Sequence, residues 1–203
     1  MADSKAVLMR KDFPDFLDFP VDDAAKRLLG CVFEREIDGN KILVRIVETE
    51  GYDQDDEASH AYGGERKRNS VMFGVPGRLY VYFTYGMHYC CNVVTGQAGY
   101  GSGVLIRAVE PIEGTDLLQK RRGRTGVEVT NGPAKLCQAL DIDMGLSGHD
   151  LRKKPLKLYD GGLKPGESIV SSPRIGISKA KDIHRRFYID NNAFVSGASK
   201  AKK

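Results

Sequence analysis

The 203-residue chain has little that would staple it, anchor it or metallate it. Its four cysteines, Cys31, Cys90, Cys91 and Cys137, contain no C-x-x-C spacing and are too sparse for a disulfide framework, which fits buried free thiols in a reducing compartment. The adjacent Cys90-Cys91 pair has the wrong spacing for zinc, and neither H-E-x-x-H nor H-x-E with P-C-x-x-C occurs, which argues against zinc proteases and zinc deaminases. A phosphate-cradling G-x-x-x-x-G-K-[ST] loop is missing, which argues against kinases. The first eleven residues are broken by Asp3, Lys5, Arg10 and Lys11 and so lack the apolar core of a secretory signal. No stretch reaches the apolar length of a membrane span, so a soluble intracellular protein with no membrane partner is expected. There is also no internal repeat, no linker-like break in composition and no β-α-β alternation.

What is present is ordinary globular composition, 41% hydrophobic and 29% charged. At this length one core buries roughly 70% of the unfolded chain's surface, so neither disulfides nor a metal are needed for stability. The net charge of +4 is unevenly divided. Residues 1–60 hold 8 Lys/Arg and 15 Asp/Glu, whereas residues 61–203 hold 23 and 12. A basic excess in the later part hints at an anionic partner, although solvated surfaces have the same composition.

Several elements follow from local pattern. Asp22 or Asp23 can cap a short helix through Ala24 to Leu29 with Gly30 as its stop. In residues 41–50 (KILVRIVETE), Ile42, Val44 and Ile46 share a parity with Glu48 and Glu50, so one strand face runs from apolar positions into two carboxylates. Residues 53–64 are acidic and turn-rich and residues 65–70 are a basic loop, an excursion of a size that is often functional. Pro76-Gly77 turns into an aromatic hairpin in which Tyr80 and Tyr82 share a face and Tyr85-Gly86 marks the bend. Residues 103–109 (GVLIRAV) form an apolar strand with Arg107 as its lone charge, ended by Glu110-Pro111. Helices are expected over residues 115–122 and from Gly132-Pro133 to Leu140, and strands near 156–159, 174–178 and 186–189. The class is α+β: one domain with a curved, largely antiparallel, open barrel-like sheet, flanking helices and a protruding β-hairpin. Residues 1–18 read as an N-terminal arm, 19–195 as the domain and 196–203 as a flexible basic tail.

Two carboxylates at a strand end beside Tyr52, a loop with His60, and the tyrosines of the hairpin suit hydrolysis at a sugar attached to a flat, electron-poor base. A carboxylate activates water and stabilises an oxocarbenium-like centre, and tyrosine faces stack a base and attract positive charge on it. The same tyrosines can equally be packing residues, and Glu48-Thr49-Glu50 a solvated strand end. The pattern alone also does not choose between Glu48 and Glu50, which share a face roughly 7 Å apart at ~3.3 Å per residue.

Five blocks in order, residues 47–52 (VETEGY), 56–60 (DEASH), 76–92 (PGRLYVYFTYGMHYCCN), 103–111 (GVLIRAVEP) and 131–139 (NGPAKLCQA), together resemble the alkyladenine, or 3-methyladenine, DNA glycosylase family of the vertebrate type. The resemblance runs from about Phe19 to Ile189. It implies a monofunctional hydrolase that flips damaged purines (3-methyladenine, 7-methylguanine, hypoxanthine, ethenoadenine) out of duplex DNA and leaves an abasic site in base excision repair. No metal, cofactor or lysine Schiff base is implied. Glu50 matches the general base and Glu48 a supporting carboxylate. Arg107 matches the arginine that orients the attacking water, and Ile175 the position whose backbone carbonyl completes that water's site. Tyr52, His60 and Tyr82 match the walls of the base pocket, and Asn92 the residue that crowds a purine 2-amino group. Tyr85 matches the side chain inserted into the duplex, with Met87 beside it; an aromatic wedge offsets the few kcal/mol of unstacking that flipping costs. Arg66, Lys67, Arg68, Lys120, Arg121 and Arg122 would hold phosphates without reading sequence.

Nothing in the residues indicates oligomerisation, and a monomer fits an enzyme that slides along DNA; it is expected where the genome lies, in the cytoplasm or nucleoid of a bacterium or the nucleus of a eukaryote. Three departures stand out: Gly51 for alanine, which is harmless, and His88 for an aromatic and a loop between Tyr52 and His60 one residue short, which touch the hairpin and the pocket rim and so the lesion spectrum more than the chemistry. Two rival readings of the residues are a non-catalytic protein that sequesters flipped bases and a nucleoside hydrolase.

Overall fold

Apolar runs at residues 42–47 and 103–109 must bury two faces, and they do so against each other's edges and under helices. A computed structural model of the chain describes residues 12–197. Its spine is β2 (Asn40–Asp53) paired antiparallel with β5 (Ser102–Glu113). β1 (Val32–Ile37) joins β2 through a tight turn at Asp38-Gly39, both with positive φ, as two-residue hairpins require. β3 (Leu79–Thr84) and β4 (His88–Val94) form the aromatic hairpin, and β4 pairs with β5. β6 (Leu156–Tyr159) lies beside β1, and β7 (Ile169–Ser172) beside β8 (Arg186–Ile189). The order is β3-β4-β5-β2-β1-β6, with every pairing antiparallel. The edge of β2 not used by β5 is divided: β1 takes residues 40–45, and β8 takes Glu48, Thr49 and Glu50. The second carboxylate-bearing stretch is thereby enclosed from both sides.

The α+β class, the curved antiparallel sheet and the protruding hairpin are as the sequence suggests. So are α2 (Thr115–Arg122), α3 (Pro133–Ala139), β6 and β8. α1 (Val21–Arg27) differs in its start: Pro20 is the N-cap and makes no side-chain cap, while Asp22 and Asp23 sit in the first turn, where carboxylates favour the helix dipole. Gly30 does end this region, with φ at 94°, and a Cβ there would lie 2.2 Å from the Gly162 carbonyl oxygen. β5 does not stop at Pro111; it runs on to Glu113, with Pro111 opposite Val44 at a register slip, a place where a missing ladder N–H is tolerated. Residues 174–178 are not a strand. The ladder is β7, which ends at Ser172, and Pro173 and a buried Arg174 turn the chain inward after it.

The core joins α1, α3 and the inner sheet face around Leu28, Phe33, Ile42, Ile106, Leu118 and Leu136, and all four cysteines are free and buried. Both outer boundaries have packed chain beyond them. Phe16 and Leu17, assigned to the arm, are buried in the core, and Ser196, assigned to the tail, hydrogen bonds to Glu48. Residues 1–11 of the arm and 198–203 of the tail lie outside the described residues. Among the described residues no helix is long and apolar enough to cross a membrane, and no group of three or more His, Cys, Asp or Glu could hold a metal ion.

Candidate active site

The floor of the site is made by two opposed irregularities in the β2–β5 ladder. Ile46 pairs with Val109 and Glu48 with Ala108, so Val47 is an extra residue on β2; Glu48 pairs with Ala108 and Thr49 with Ile106, so Arg107 is an extra residue on β5. A bulge bends its strand and re-aims the side chains that follow. Ile46 and Val47 are consequently both in the core, and the parity inverts. From there Thr49 faces α1, its hydroxyl donating to the Ala25 carbonyl at 2.9 Å, and Gly51 packs beside Val21, while Glu48 and Glu50 meet Arg107 on the other side. The simple alternation expected from Ile42 to Glu50 is therefore interrupted; the carboxylates occupy the opposite face from the apolar row.

Both glutamates are wholly buried, but they are bonded differently. Glu48 accepts four hydrogen bonds: from Arg107 Nε (3.2 Å), Arg186 Nε (2.7 Å), the Ser196 hydroxyl (2.8 Å) and the Ser196 N–H (2.6 Å). Three of these donors meet at Oε1, and Oε2 takes the Ser196 N–H. Glu50 has three partners. Its Oε1 accepts from the Ile175 N–H at 2.8 Å, and its Oε2 accepts from the Tyr52 hydroxyl at 2.7 Å and lies 3.3 Å from Arg107 Nη1. One lone pair, on Oε1, is left for a further donor. Arg107 is the shared cation; burial alone would lower its pKa, but Glu50 and Glu48 outweigh that and raise it. Burial, and then Glu50, push the Tyr52 phenol upward, so Tyr52 remains a donor to the carboxylate.

Above this floor is a cavity of about 620 Å³. Tyr52, His60, Tyr82, Asn92, Arg107, Ile175 and Tyr85 all line it, so seven of the nine residues singled out from the sequence are brought to one cavity. Glu50 lies behind the lining, in contact with three of its members. Met87 faces a second groove with His88, Tyr89 and α3 residues. The Tyr80 and Tyr82 rings stack at 5.7 Å, and His60 meets Tyr82 edge-on at 4.5 Å. His60 Nδ1 and the Tyr80 hydroxyl share a hydrogen bond of 3.1 Å. Burial, helped by Arg68, lowers the His60 pKa, and burial pushes the Cys90 thiol up to about 11, so these parts of the wall are neutral at neutral pH. Asn92 stands opposite Leu105 in register, its side chain buried at the pocket end of β4.

At the hairpin tip the turn places Tyr85 (φ 51°) and Gly86 (φ 67°) in the left-handed region, with the Met87 N–H donating to the Thr84 carbonyl at 3.3 Å. Tyr85 is 81% exposed and Met87 69%.

Residues 174–196 supply what local pattern could not. Arg174 forms a buried ion pair with Asp56 (Nη2–Oδ1 3.0 Å), donates to the Gly51 carbonyl and covers the Tyr52 ring at 4.6 Å. Arg185 reaches Asp53 and Asp22. These partners are more than 110 residues apart in sequence, and the charge imbalance between the two parts of the chain was their only trace: acidic residues before position 60 are neutralised by Arg107, Arg174, Arg185 and Arg186. Part of the basic excess is thus internal. Of the basic groups suggested for phosphates, Arg66, Lys67 and Arg68 are exposed, whereas Arg121 pairs with Asp141 and Arg122 donates to the Val129 carbonyl.

Among the enzyme classes that hydrolyse a base from a sugar, a nucleoside hydrolase uses such a slot but has no task for an exposed aromatic at its rim. A DNA glycosylase has a task for both. The comparisons agree: the model of the methylpurine-DNA glycosylase family matches residues 15–193. A protein of Carboxydothermus hydrogenoformans named "Putative 3-methyladenine DNA glycosylase" is 53% identical over 174 residues, 85% of this chain and 91% of that one. Proteins of the same name from Francisella tularensis (49%, 86% of this chain and 92% of the relative) and Methanoculleus marisnigri (47%, 85% and 91%) are similarly close. The chain belongs to the methylpurine-DNA glycosylase family, and is a DNA glycosylase of base excision repair.

Proposed function

We propose that Glu50 is the general base of this glycosylase and that it acts on alkylated and deaminated purines, among them 3-methyladenine, 7-methylguanine, hypoxanthine and ethenoadenine. The observation that carries the assignment is the difference in bonding between the two carboxylates. Apart from Arg107, the donors to Glu48 are Arg186 and Ser196, which do not line the cavity, whereas Glu50 meets Tyr52, Arg107 and Ile175, all of which line it, and its Oε1 accepts only from the Ile175 N–H. In this reading a water donates to Glu50, is oriented by Arg107 and attacks the sugar C1′ as the C–N bond breaks. The contact that Ile175 makes with Glu50 is through its N–H; its carbonyl would be the water's second acceptor.

Tyr52, His60 and Tyr82 hold the flipped purine, with neutral His60 giving a polar contact to its edge and Asn92 crowding a 2-amino group. Tyr85 fills the vacated stack, with Met87 beside it. Cationic 3-methyladenine and 7-methylguanine already carry the charge that lets the base leave; neutral hypoxanthine and ethenoadenine take up a proton first. The protein works as a monomer on damaged duplex DNA, wherever the genome is housed.

Base release is to be measured on a lesion panel in duplex DNA, in single strands and as free nucleosides. A strong duplex preference that weakens with salt is expected. Equal rates on free nucleosides would favour a nucleoside hydrolase, and lesion binding without release a sequestering protein.

A further inference from the structure

Half of the hydrogen bonds to Glu48 come from a residue past the family match. Ser196 stands three positions beyond residue 193, where the match ends, and in the segment whose composition suggests a tail. Its N–H and hydroxyl donate to the two oxygens of Glu48 at 2.6 and 2.8 Å, and its carbonyl accepts from Arg186 Nη2 at 3.2 Å. Arg186 closes the ring by donating from Nε to Glu48 at 2.7 Å. The chain leading there is fixed: Val195 is buried, Asn192 donates to Glu110 at 3.2 Å, and the Phe194 N–H is taken up by the Asn192 side chain.

The consequence passes through Arg107. Its guanidinium is a rigid fork with Nε on Glu48 and Nη1 toward Glu50. A buried carboxylate short of donors is costly, so a Glu48 deprived of Ser196 draws the fork toward itself and away from Glu50. We propose that Ser196 is a positioning residue: by completing the hydrogen-bond set of Glu48, it holds Arg107 at the spacing that serves Glu50. The proposal rests on Glu50 as the water-activating carboxylate, and adds that the chain end, outside the family match, sets the geometry of that pair.

The test compares Ser196→Ala, Ser196→Thr, chains ending at residues 195 and 197, and Glu50→Gln. For each, single-turnover base release, affinity for the same hypoxanthine-containing duplex and melting temperature are measured. Ser196→Ala should slow release about 5–10-fold and the chain ending at 195 by more, with affinity within about twofold of wild type. Ser196→Thr, which keeps the hydroxyl, and the chain ending at 197 should release base at the wild-type rate. Wild-type release by Ser196→Ala, or a loss carried by affinity alone, overturns the positioning role. If Glu50→Gln is inactive while Ser196→Ala is unimpaired, only that role falls; if Glu50→Gln itself releases base normally, the reading of Glu50 falls with it.

Discussion

Glu48 and Glu50 are wholly buried and between them meet seven donors, whereas Tyr85, on the same cavity, is 81% exposed and sits in a left-handed turn. The two regions put their order in different places. At the floor, the carboxylates and Arg107 are bonded within the chain and so are oriented before any ligand arrives. At the tip, an apolar ring is left without protein to pack on and in a backbone conformation that costs an L-residue about 1 kcal/mol or more. In the proposed reading such a floor serves chemistry, and such a tip serves a partner that brings its own packing surface, a stack of bases.

The comparison can be broken at several points. The largest effect belongs to the floor's ion pairs. Arg107→Met removes the cation between two buried carboxylates, and Asp56→Asn strips Arg174 of its partner; each should cost about 3–5 kcal/mol in denaturant unfolding. A loss below about 1 kcal/mol would mean that the floor is hydrated and not preorganised. At the tip, Tyr85→Ala should leave stability within about 0.5 kcal/mol but weaken binding to a lesion duplex by about 1–3 kcal/mol, read by fluorescence anisotropy. Tyr85→Gly sharpens the contrast: relieving the left-handed strain should stabilise the fold by about 0.5–1 kcal/mol while binding is lost. No floor substitution should show that pairing of a more stable fold with a weaker enzyme.

The smallest effect concerns the wall. Burial lowers the His60 pKa below its ordinary 6.5, so just below pH 6.5 the unfolded chain binds a proton that the folded one refuses. Stability should therefore fall as pH drops from 6.5 toward the folded pKa and be fully present above 6.5. His60→Gln should flatten that part of the pH–stability curve; an unchanged slope would show that the imidazole takes up its proton as readily in the fold as in the unfolded chain.

The same contrast separates what could be read from the sequence from what could not. The hairpin, α2, α3 and β6 follow from local signals: Tyr85-Gly86 between alternating strands, a proline at the first helical position, apolar alternation at Leu156 and Leu158. The block around Glu50 and the residues of the cavity wall are carried by ordered motifs, not by spacing. The bonding within the floor is accessible to neither. The bulges at Val47 and Arg107 break the period on which strand parity rests, and a slip of one residue moves a whole side-chain row to the other face. Arg174, Arg186 and Ser196 reach their partners across more than 110 residues, and no local rule links them. The loop at 174–178 has the pattern of a strand because its apolar alternation, Ile175 and Ile177, serves the cavity wall and not a ladder.

The central claim is that the two buried carboxylates are unequal, one bonded to Arg186 and Ser196 away from the cavity and one held by groups that line it and there open to a water. It is tested most directly by single-turnover release from a hypoxanthine-containing duplex with Glu50→Gln, alongside its affinity for that duplex. The account predicts a fall in release of about 10²–10⁴-fold with affinity and fold retained. Release within tenfold of wild type, with binding intact, would contradict it.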